Sequence, residues 1–243
     1  MLKRYILIIT IMLLALQGTF ASQYGLYSPN EFGQNFHPAE SERLLFIMDF
    51  SNSMTESLEG ARKVDLMIKT MREILPKINP NVSVGLRIYG HKMGFTPTDA
   101  CRASALISPI APNNTSSIAY SLMQTKPRGM TPITYSLKQA VKYDFMGFAG
   151  KKHIILLTDG GENCDESPCK YVMELIKIRR DVSIDVIAFN IQDEDDLDQL
   201  RCTALVTSGK FYNAQTAAQL FDGFNNSIGG VKNVEAKIVL PKN

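Results

Sequence analysis

The sequence lacks several features that are typical of common functional classes. Its 26 basic and 24 acidic residues leave a net charge of only +2 and form no basic block. Nothing therefore points to nucleic acid as a partner. The three histidines, His37, His91 and His153, are scattered rather than placed at the spacing of metal ligands. No internal repeat is visible, and no serine stands in the Gly-x-Ser-x-Gly turn of α/β-hydrolases. These absences disfavour nucleic-acid binding, histidine metal sites and serine hydrolysis.

The first 21 residues have the organisation of a secretory signal peptide. Residues 1–4 are basic, residues 5–16 are almost continuously apolar, and small residues precede a cleavage position after Ala21. The apolar run is shorter than the roughly 20 residues that cross a bilayer, although an uncleaved N-terminal anchor is the alternative. We expect an exported protein, periplasmic or secreted, with no membrane span in the mature chain.

Only four cysteines are present, and all of them follow the predicted cleavage site: Cys101, Cys164, Cys169 and Cys202. An even number of cysteines in an exported protein indicates disulfide bonds, and four cysteines allow three pairings that the sequence does not separate. A four-thiolate zinc site is the alternative. Such sites are usually built from two close cysteine pairs, whereas here only Cys164 and Cys169 are neighbours. We therefore expect two disulfides.

The chain is long enough for one sizeable hydrophobic core, since 45% of its 243 residues are hydrophobic. Residues 22–42 are polar, contain glycine and proline, and form a lead-in segment without a core of its own. Residues 43–230 form the predicted domain. Residues 231–243 form a C-terminal tail, which contains one strand-like run.

Within the domain, short apolar runs alternate with segments of helical periodicity, which predicts parallel strands joined by helices. The predicted strands are residues 44–50, 82–89, 153–158, 184–190 and 210–212, and the predicted helices are residues 58–75, 115–125, 132–145, 168–180, 194–207 and 214–228. A further run at residues 103–107 follows a strand directly, as an antiparallel edge strand would. We expect a three-layer, doubly wound α/β fold, Rossmann-like, with one antiparallel edge strand.

Five oxygen-bearing side chains stand at the ends of predicted elements. Asp49, Ser51 and Ser53 end the first strand in the pattern Asp-x-Ser-x-Ser, and Asp159 directly follows another strand. Thr131 precedes a proline, so capping of a helix is its simplest function, and it becomes a ligand only if its loop faces the two aspartates. In doubly wound sheets, ligands bind at the carboxyl ends of the strands, where the strand order reverses. Two carboxylates brought together there resist ionisation unless a cation compensates them.

These residues resemble the metal-ion-dependent adhesion site of von Willebrand factor type A domains. The family pattern is Asp-x-Ser-x-Ser, then a threonine in a loop before a helix, then an aspartate after the fourth strand. All five positions are present in that order, as Asp49, Ser51, Ser53, Thr131 and Asp159. The resemblance covers roughly residues 43–229. A narrower resemblance, to exported and mostly bacterial type A proteins, lies in the segments around the cysteines and implies disulfides near the metal-bearing end of the sheet.

The chemistry of this set favours a hard cation, because carboxylates and hydroxyls provide only oxygen ligands. Mg²⁺ is the expected ion, with Mn²⁺ or Ca²⁺ as alternatives. The resemblance implies that Ser51, Ser53 and Thr131 bind the ion more directly, and that Asp49 and Asp159 act partly through water. In the family, an acidic residue of the partner protein takes the remaining position. The resemblance therefore implies a binding module and not an enzyme, with a partner that offers an Asp or Glu carboxylate.

Two other functions compete with this interpretation. In the first, the protein is a structural or assembly subunit whose metal site only orders its loops. In the second, the protein is a metal-assisted hydrolase that uses Glu162. Few proteins with the type A fold are enzymes, although a fold alone does not decide function.

Overall fold

A six-stranded sheet lies at the centre of residues 42–229, the part of the chain that the computed structural model describes. The strands are β1 Glu42–Asp49, β2 Val84–Tyr89, β3 Ser104–Ala111, β4 Lys151–Thr158, β5 Val182–Phe189 and β6 Phe211–Ala214. Their order is β3-β2-β1-β4-β5-β6, and all neighbours are parallel except β3, which is antiparallel to β2. This arrangement confirms the predicted doubly wound fold with an antiparallel edge strand. The predicted signal peptide and tail lie outside the described residues.

Helices cover both faces of the sheet. They are α1 Lys63–Ile74, α2 Pro97–Ala100, α3 Thr115–Gln124, α4 Ile133–Gln139, α5 Pro168–Ile178, α6 Glu194–Val206 and α7 Ala217–Ile228. A π-helical turn, Ala140–Asp144, continues α4. One hydrophobic core joins the sheet to α1, α3 and α7, and the other joins it to α4, α5 and α6. The fold therefore has the three layers that the sequence predicts.

Strand β1 is buried on both faces, which explains its continuous apolar sequence. Leu44, Phe46 and Met48 belong to the first core, whereas Leu45 and Ile47 belong to the second. All five side chains are fully buried. Each contributes roughly 1.5–3 kcal/mol relative to an exposed side chain. This burial fixes the register of β1 and with it the position of Asp49 at its carboxyl end.

The predicted helix at residues 58–75 begins too early. A two-stranded hairpin, Ser57–Leu58 with Ala61–Arg62, comes first, and the helix starts at Lys63. The two residues in the turn of this hairpin, Glu59 and Gly60, both have positive φ angles, of 53° and 81°. Two such residues in succession make the tight turn that joins hairpin strands. The other predicted elements are present with shifted ends.

All four cysteines form disulfides, so the four-thiolate zinc alternative is wrong. Cys101 pairs with Cys164 and Cys169 with Cys202. The first bridge joins the segment after α2 to the loop after β4, and the second joins α5 to α6. No helix within residues 42–229 is both long and apolar enough to cross a membrane.

Candidate metal centre

The two predicted aspartates lie at the point where the strand order reverses. Asp49 is the last residue of β1, and Asp159 directly follows β4, its parallel neighbour. From β1 the chain continues to β2 on one side of the sheet, and from β4 it continues to β5 on the other. Such a reversal opens a crevice at the carboxyl ends of the strands. Both aspartates are buried, with relative exposures of 0% and 6%.

Asp49 is held by hydrogen bonds from three directions. Its Oδ1 accepts the Ser51 N–H at 2.6 Å, and its Oδ2 accepts the Thr158 hydroxyl at 2.9 Å and the Asp159 N–H at 3.3 Å. The buried phenol of Tyr89 is beside it in β2. Burial, together with the negative charge of Asp159, raises the pKa of Asp49 to about 7, although the hydrogen bonds from Ser51 and Thr158 oppose this shift. The carboxylate therefore lacks full compensation of its charge.

The two serines connect Asp49 to Asp159. Ser53 Oγ donates to Asp159 Oδ1 at 2.6 Å and lies 3.0 Å from Ser51 Oγ. Ser53 is in a 3₁₀ turn, Asn52–Thr55, that begins directly after Ser51. This turn brings alternate hydroxyls of the Asp-x-Ser-x-Ser pattern to one side of the loop.

Lys63 supplies a positive charge that the sequence motifs do not predict. Its Nζ lies 3.0 Å from Asp159 Oδ2 and 2.8 Å from Glu56 Oε2. The side chains of Lys63 and Asp159 are 5% and 0% exposed, whereas that of Glu56 is 64% exposed. Burial raises the pKa of Asp159, while Ser53 and Lys63 oppose the rise. The pKa of Lys63 is raised because its two carboxylate partners outweigh the effect of burial.

The loop that carries Thr131 is attached to both aspartate loops. Gly129 forms a bridge with Ser51 and accepts the Asn52 N–H at 3.0 Å. The buried Thr131 donates its own N–H to Asn163 Oδ1 at 2.7 Å. Asn163 belongs to the loop after β4. Thr131 therefore lies between the two loops that carry the other four predicted residues.

The alternative that Thr131 caps a helix is wrong. Helix α4 begins at Ile133, with Pro132 at the cap position in a non-helical conformation. The cap comes instead from Glu162, whose Oε2 accepts the Thr134 N–H at 2.7 Å. The other oxygen of Glu162 accepts the Cys164 N–H at 3.0 Å. Burial raises the pKa of Glu162, and these backbone donors oppose the rise.

Gly90 allows the loops of the site to approach one another. Its φ is +71°, and a Cβ at this position would lie 2.5 Å from Ser51 N and 2.8 Å from Met130 O. Its carbonyl accepts the N–H groups of Arg128 and Gly129 at 3.0 and 2.7 Å. Only glycine combines this conformation with such close backbone contacts. Gly90 therefore holds the threonine loop against the Asp-x-Ser-x-Ser loop.

The five residues expected from the sequence thus lie in one cluster of loops. Direct hydrogen bonds join Asp49, Ser51, Ser53 and Asp159, and Thr131 is connected through neighbouring residues. The donor atoms are carboxylate and hydroxyl oxygens, which suit a hard cation such as Mg²⁺. Within residues 42–229, no group of three or more His, Cys, Asp and Glu residues forms a metal site of another type.

Comparison with known proteins agrees with this architecture. The family model of the von Willebrand factor type A domain matches residues 44–226. The Bacillus subtilis protein YwmD is 28% identical over 178 residues, which cover 70% of this chain and 78% of YwmD. Proximal thread matrix protein 1 from the mussel byssus, solved with a zinc-occupied MIDAS motif, has a TM-score of 0.59 at 19% identity, covering 78% of this chain and 45% of that chain.

A second solved structure covers almost the whole length of its own chain. It is the vWF domain of the type V pili tip protein Mfa5 from Porphyromonas gingivalis, with a TM-score of 0.55 at 15% identity. The match covers 79% of this chain and 95% of that chain. At these identities the solved structures establish a shared fold and nothing beyond it.

Proposed function

We propose, from the premise that this chain belongs to the von Willebrand factor type A domain family, that it is an exported module that binds a protein partner through a divalent cation. The observation that carries the proposal is the cluster in which Asp49, Asp159 and two serine hydroxyls meet at the carboxyl ends of β1 and β4. The disulfides agree with export, because such bonds persist in oxidising compartments.

The residues that would hold the cation are Asp49, Ser51, Ser53, Thr131 and Asp159. Bound there, the cation would compensate the two carboxylates and offer a position to an Asp or Glu carboxylate of the partner. The raised pKa of Asp49 supports this assignment, because it marks a buried carboxylate whose charge is only partly compensated. Mg²⁺ suits the oxygen-only set, with Mn²⁺ and Ca²⁺ as alternatives.

The balance of charge is compatible with an acidic partner. Three of the five proposed ligands are neutral hydroxyls, so the two carboxylates balance a doubly charged ion without a surplus of negative charge. A partner carboxylate would therefore meet no net repulsion from the ligands of the loaded site. The same residues would also hold a cation in a protein whose metal only orders loops, and the experiment below separates these two functions.

Binding is favoured over catalysis by the contacts of Glu162, the candidate for a hydrolase. Both of its carboxylate oxygens accept backbone N–H groups, from Thr134 and Cys164. A general base needs a carboxylate that reaches the proton it removes. In the described structure Glu162 instead fixes the start of α4 to the loop after β4, which is a structural role.

Calorimetric titration of Mg²⁺, Mn²⁺ and Ca²⁺ into the chelator-treated mature protein tests the cation site. We expect saturable binding that is lost in Asp49→Ala and kept in Asp65→Ala, because Asp65 is an exposed carboxylate of α1 that pairs with Arg62. Absence of binding to the folded wild type would contradict the proposal. Unfolding of the domain by chelator alone would favour the loop-ordering subunit.

A short peptide with one central aspartate tests whether the bound cation recognises a carboxylate of the partner. Mn²⁺ bound to the protein should broaden the NMR signals of this peptide, because a paramagnetic ion acts only at short range. The matched peptide with asparagine in place of aspartate should be unaffected, as should the aspartate peptide with Asp49→Ala. Equal broadening of both peptides would show that the cation does not recognise a carboxylate.

A further inference from the structure

Lys63 occupies an unusual position for a lysine. It is the first residue of α1, and its side chain is 5% exposed. Lysine is almost never fully buried unless it is paired, and here its ammonium contacts the buried Asp159 and the exposed Glu56. Of the residues proposed as cation ligands, Asp159 is thus in direct contact with a cation that belongs to the chain itself.

The backbone of Lys63 is fixed at the same place as its side chain. The Lys63 N–H donates to Glu56 O at 2.9 Å, while Nζ binds the Glu56 carboxylate at 2.8 Å. The hairpin Ser57–Leu58 with Ala61–Arg62 lies between these two residues and closes the loop. The ammonium is therefore held within reach of Asp159 rather than free to turn into solvent.

This contact affects the binding of a second cation. Asp159 Oδ2 faces the Lys63 ammonium at 3.0 Å, so an ion bound to the same carboxylate approaches a positive charge at short range. Like charges repel, and a partly buried site weakens the screening by water and salt. Lys63 therefore lowers the affinity of the site for any divalent ion.

The same charge changes what the loaded site attracts. With Asp49, Asp159 and Glu56 ionised, the three carboxylates and the Lys63 ammonium carry two net negative charges, which repel an acidic partner. Addition of a divalent ion brings this sum to zero. Without Lys63 the loaded site would keep one net negative charge. The ammonium thus weakens cation binding and at the same time removes the net repulsion between the loaded site and a carboxylate.

We propose that the Lys63 ammonium, a positive charge fixed beside Asp159, couples the binding of the divalent ion to the binding of the partner carboxylate. It keeps the affinity for the divalent ion low when the ion is alone and makes the ion bind together with an acidic protein partner. This inference rests on the proposed function. By linkage, a partner carboxylate that binds better to the loaded site also raises the affinity for the ion.

Lys63→Met tests the proposal, with Lys69→Met as the matched control. Both changes remove one lysine charge from α1, but Lys69 is exposed. Calorimetric titration should show that Lys63→Met binds Mn²⁺ and Mg²⁺ at least about tenfold more tightly than the wild type, because the ion carries two charges and the partly buried site screens them less than bulk water does. We expect a change of less than about twofold for Lys69→Met, because exposed distant charges are screened.

The peptide assay measures a second affinity, that for the partner carboxylate, which should change in the opposite direction to the affinity for the ion. Mn²⁺-loaded Lys63→Met should bind the aspartate peptide more weakly than the loaded wild type, although it holds the ion more tightly. A purely structural lysine that positions Asp159 would not separate the two affinities. Its replacement would weaken both the binding of the ion and the binding of the peptide, and that result would overturn the proposal.

Two further outcomes keep the inference separate from the proposed function. If the wild type binds the ion and Lys63→Met binds it equally or less tightly, the inference fails alone. If neither protein binds any divalent ion, the proposed function fails with it. Should Lys63→Met not fold without metal, Lys63→Gln replaces it, because the amide keeps a hydrogen-bond donor toward Asp159 while removing the charge.

Discussion

The raised pKa of Asp49 makes the stability of the metal-free domain depend on pH. The pKa is about 7 in the folded protein and 3.8 for an ordinary aspartate. The folded state therefore keeps a proton that the unfolded chain releases between these values, so the free energy of unfolding falls as pH rises through this window. At about 1.4 kcal/mol per pKa unit, the full loss is about 4 kcal/mol above pH 7.

Asp49→Asn removes this dependence without a large change in shape. Its amide oxygen accepts the Ser51 N–H, as Oδ1 of the aspartate does. Its amide nitrogen donates to the Thr158 hydroxyl, whose single proton then goes to Gly160 O, 2.7 Å away, instead of to residue 49. The bond from the Asp159 N–H, which is long at 3.3 Å, is lost. The variant is therefore expected to be more stable than the wild type in the absence of metal, although it loses a cation ligand.

Urea unfolding of chelator-treated protein at pH 5 and pH 8 measures this effect. We expect the stability difference between Asp49→Asn and the wild type to grow by about 3 kcal/mol from pH 5 to pH 8, since about two pKa units lie in this range. Burial also lowers the pKa of His91, which is present in both proteins and cancels from the difference. Asp159 does not cancel, because its charge helps to raise the pKa of Asp49, so the difference reports the titration of the two carboxyls together. A difference that is the same at both pH values would refute the reasoning.

Two substitutions test the packing around the site against matched controls in urea unfolding. Gly90→Ala should cost about 3 kcal/mol or more, because its Cβ meets Ser51 and Met130 at the backbone, whereas Gly60→Ala has a φ of +81° in open space and should cost about 1 kcal/mol. Equal costs would mean that the close approach of the loops is unimportant. Asp144→Ala removes two of the three hydrogen bonds of the buried Arg87 guanidinium and leaves only the bond to Ser104, so it should cost about 3–5 kcal/mol. Asp65→Ala breaks the exposed ion pair with Arg62 and should lower the free energy of unfolding by under about 1 kcal/mol. Similar losses in Asp144→Ala and Asp65→Ala would contradict this account.

Much of the candidate site follows from the sequence, because it depends on strand order and on local spacing. The apolar run of β1 ends at Asp49, and that of β4 ends just before Asp159. Parallel strands place their carboxyl ends at one edge of a sheet, so two such aspartates meet if their strands are neighbours. The two serines of the Asp-x-Ser-x-Ser pattern follow from local spacing alone, because they lie two and four residues after Asp49.

The remaining features depend on contacts that a single sequence does not contain. Lys63 and Asp159 are 96 residues apart, and a helical pattern does not tell a buried lysine from an exposed one. The hairpin before α1 depends on the backbone conformation of Glu59, a residue with no strong preference for turns. The proline after Thr131 suggests a helix cap as the alternative to a metal ligand, whereas the loop conformation gives the capping role to Glu162.

The native disulfides join cysteines that are distant in the chain, whereas the closest two cysteines belong to different bridges. Cys101 and Cys164 are separated by 63 residues and Cys169 and Cys202 by 33, but Cys164 and Cys169 are only a few positions apart. Loop-closure entropy favours the shortest loop in an unfolded chain, so oxidation before folding selects the non-native pair. The native bonds then require thiol–disulfide exchange, unless the chain folds while its thiols are still reduced. Formation of the two native disulfides is therefore decided by whether the chain folds before its cysteines are oxidised.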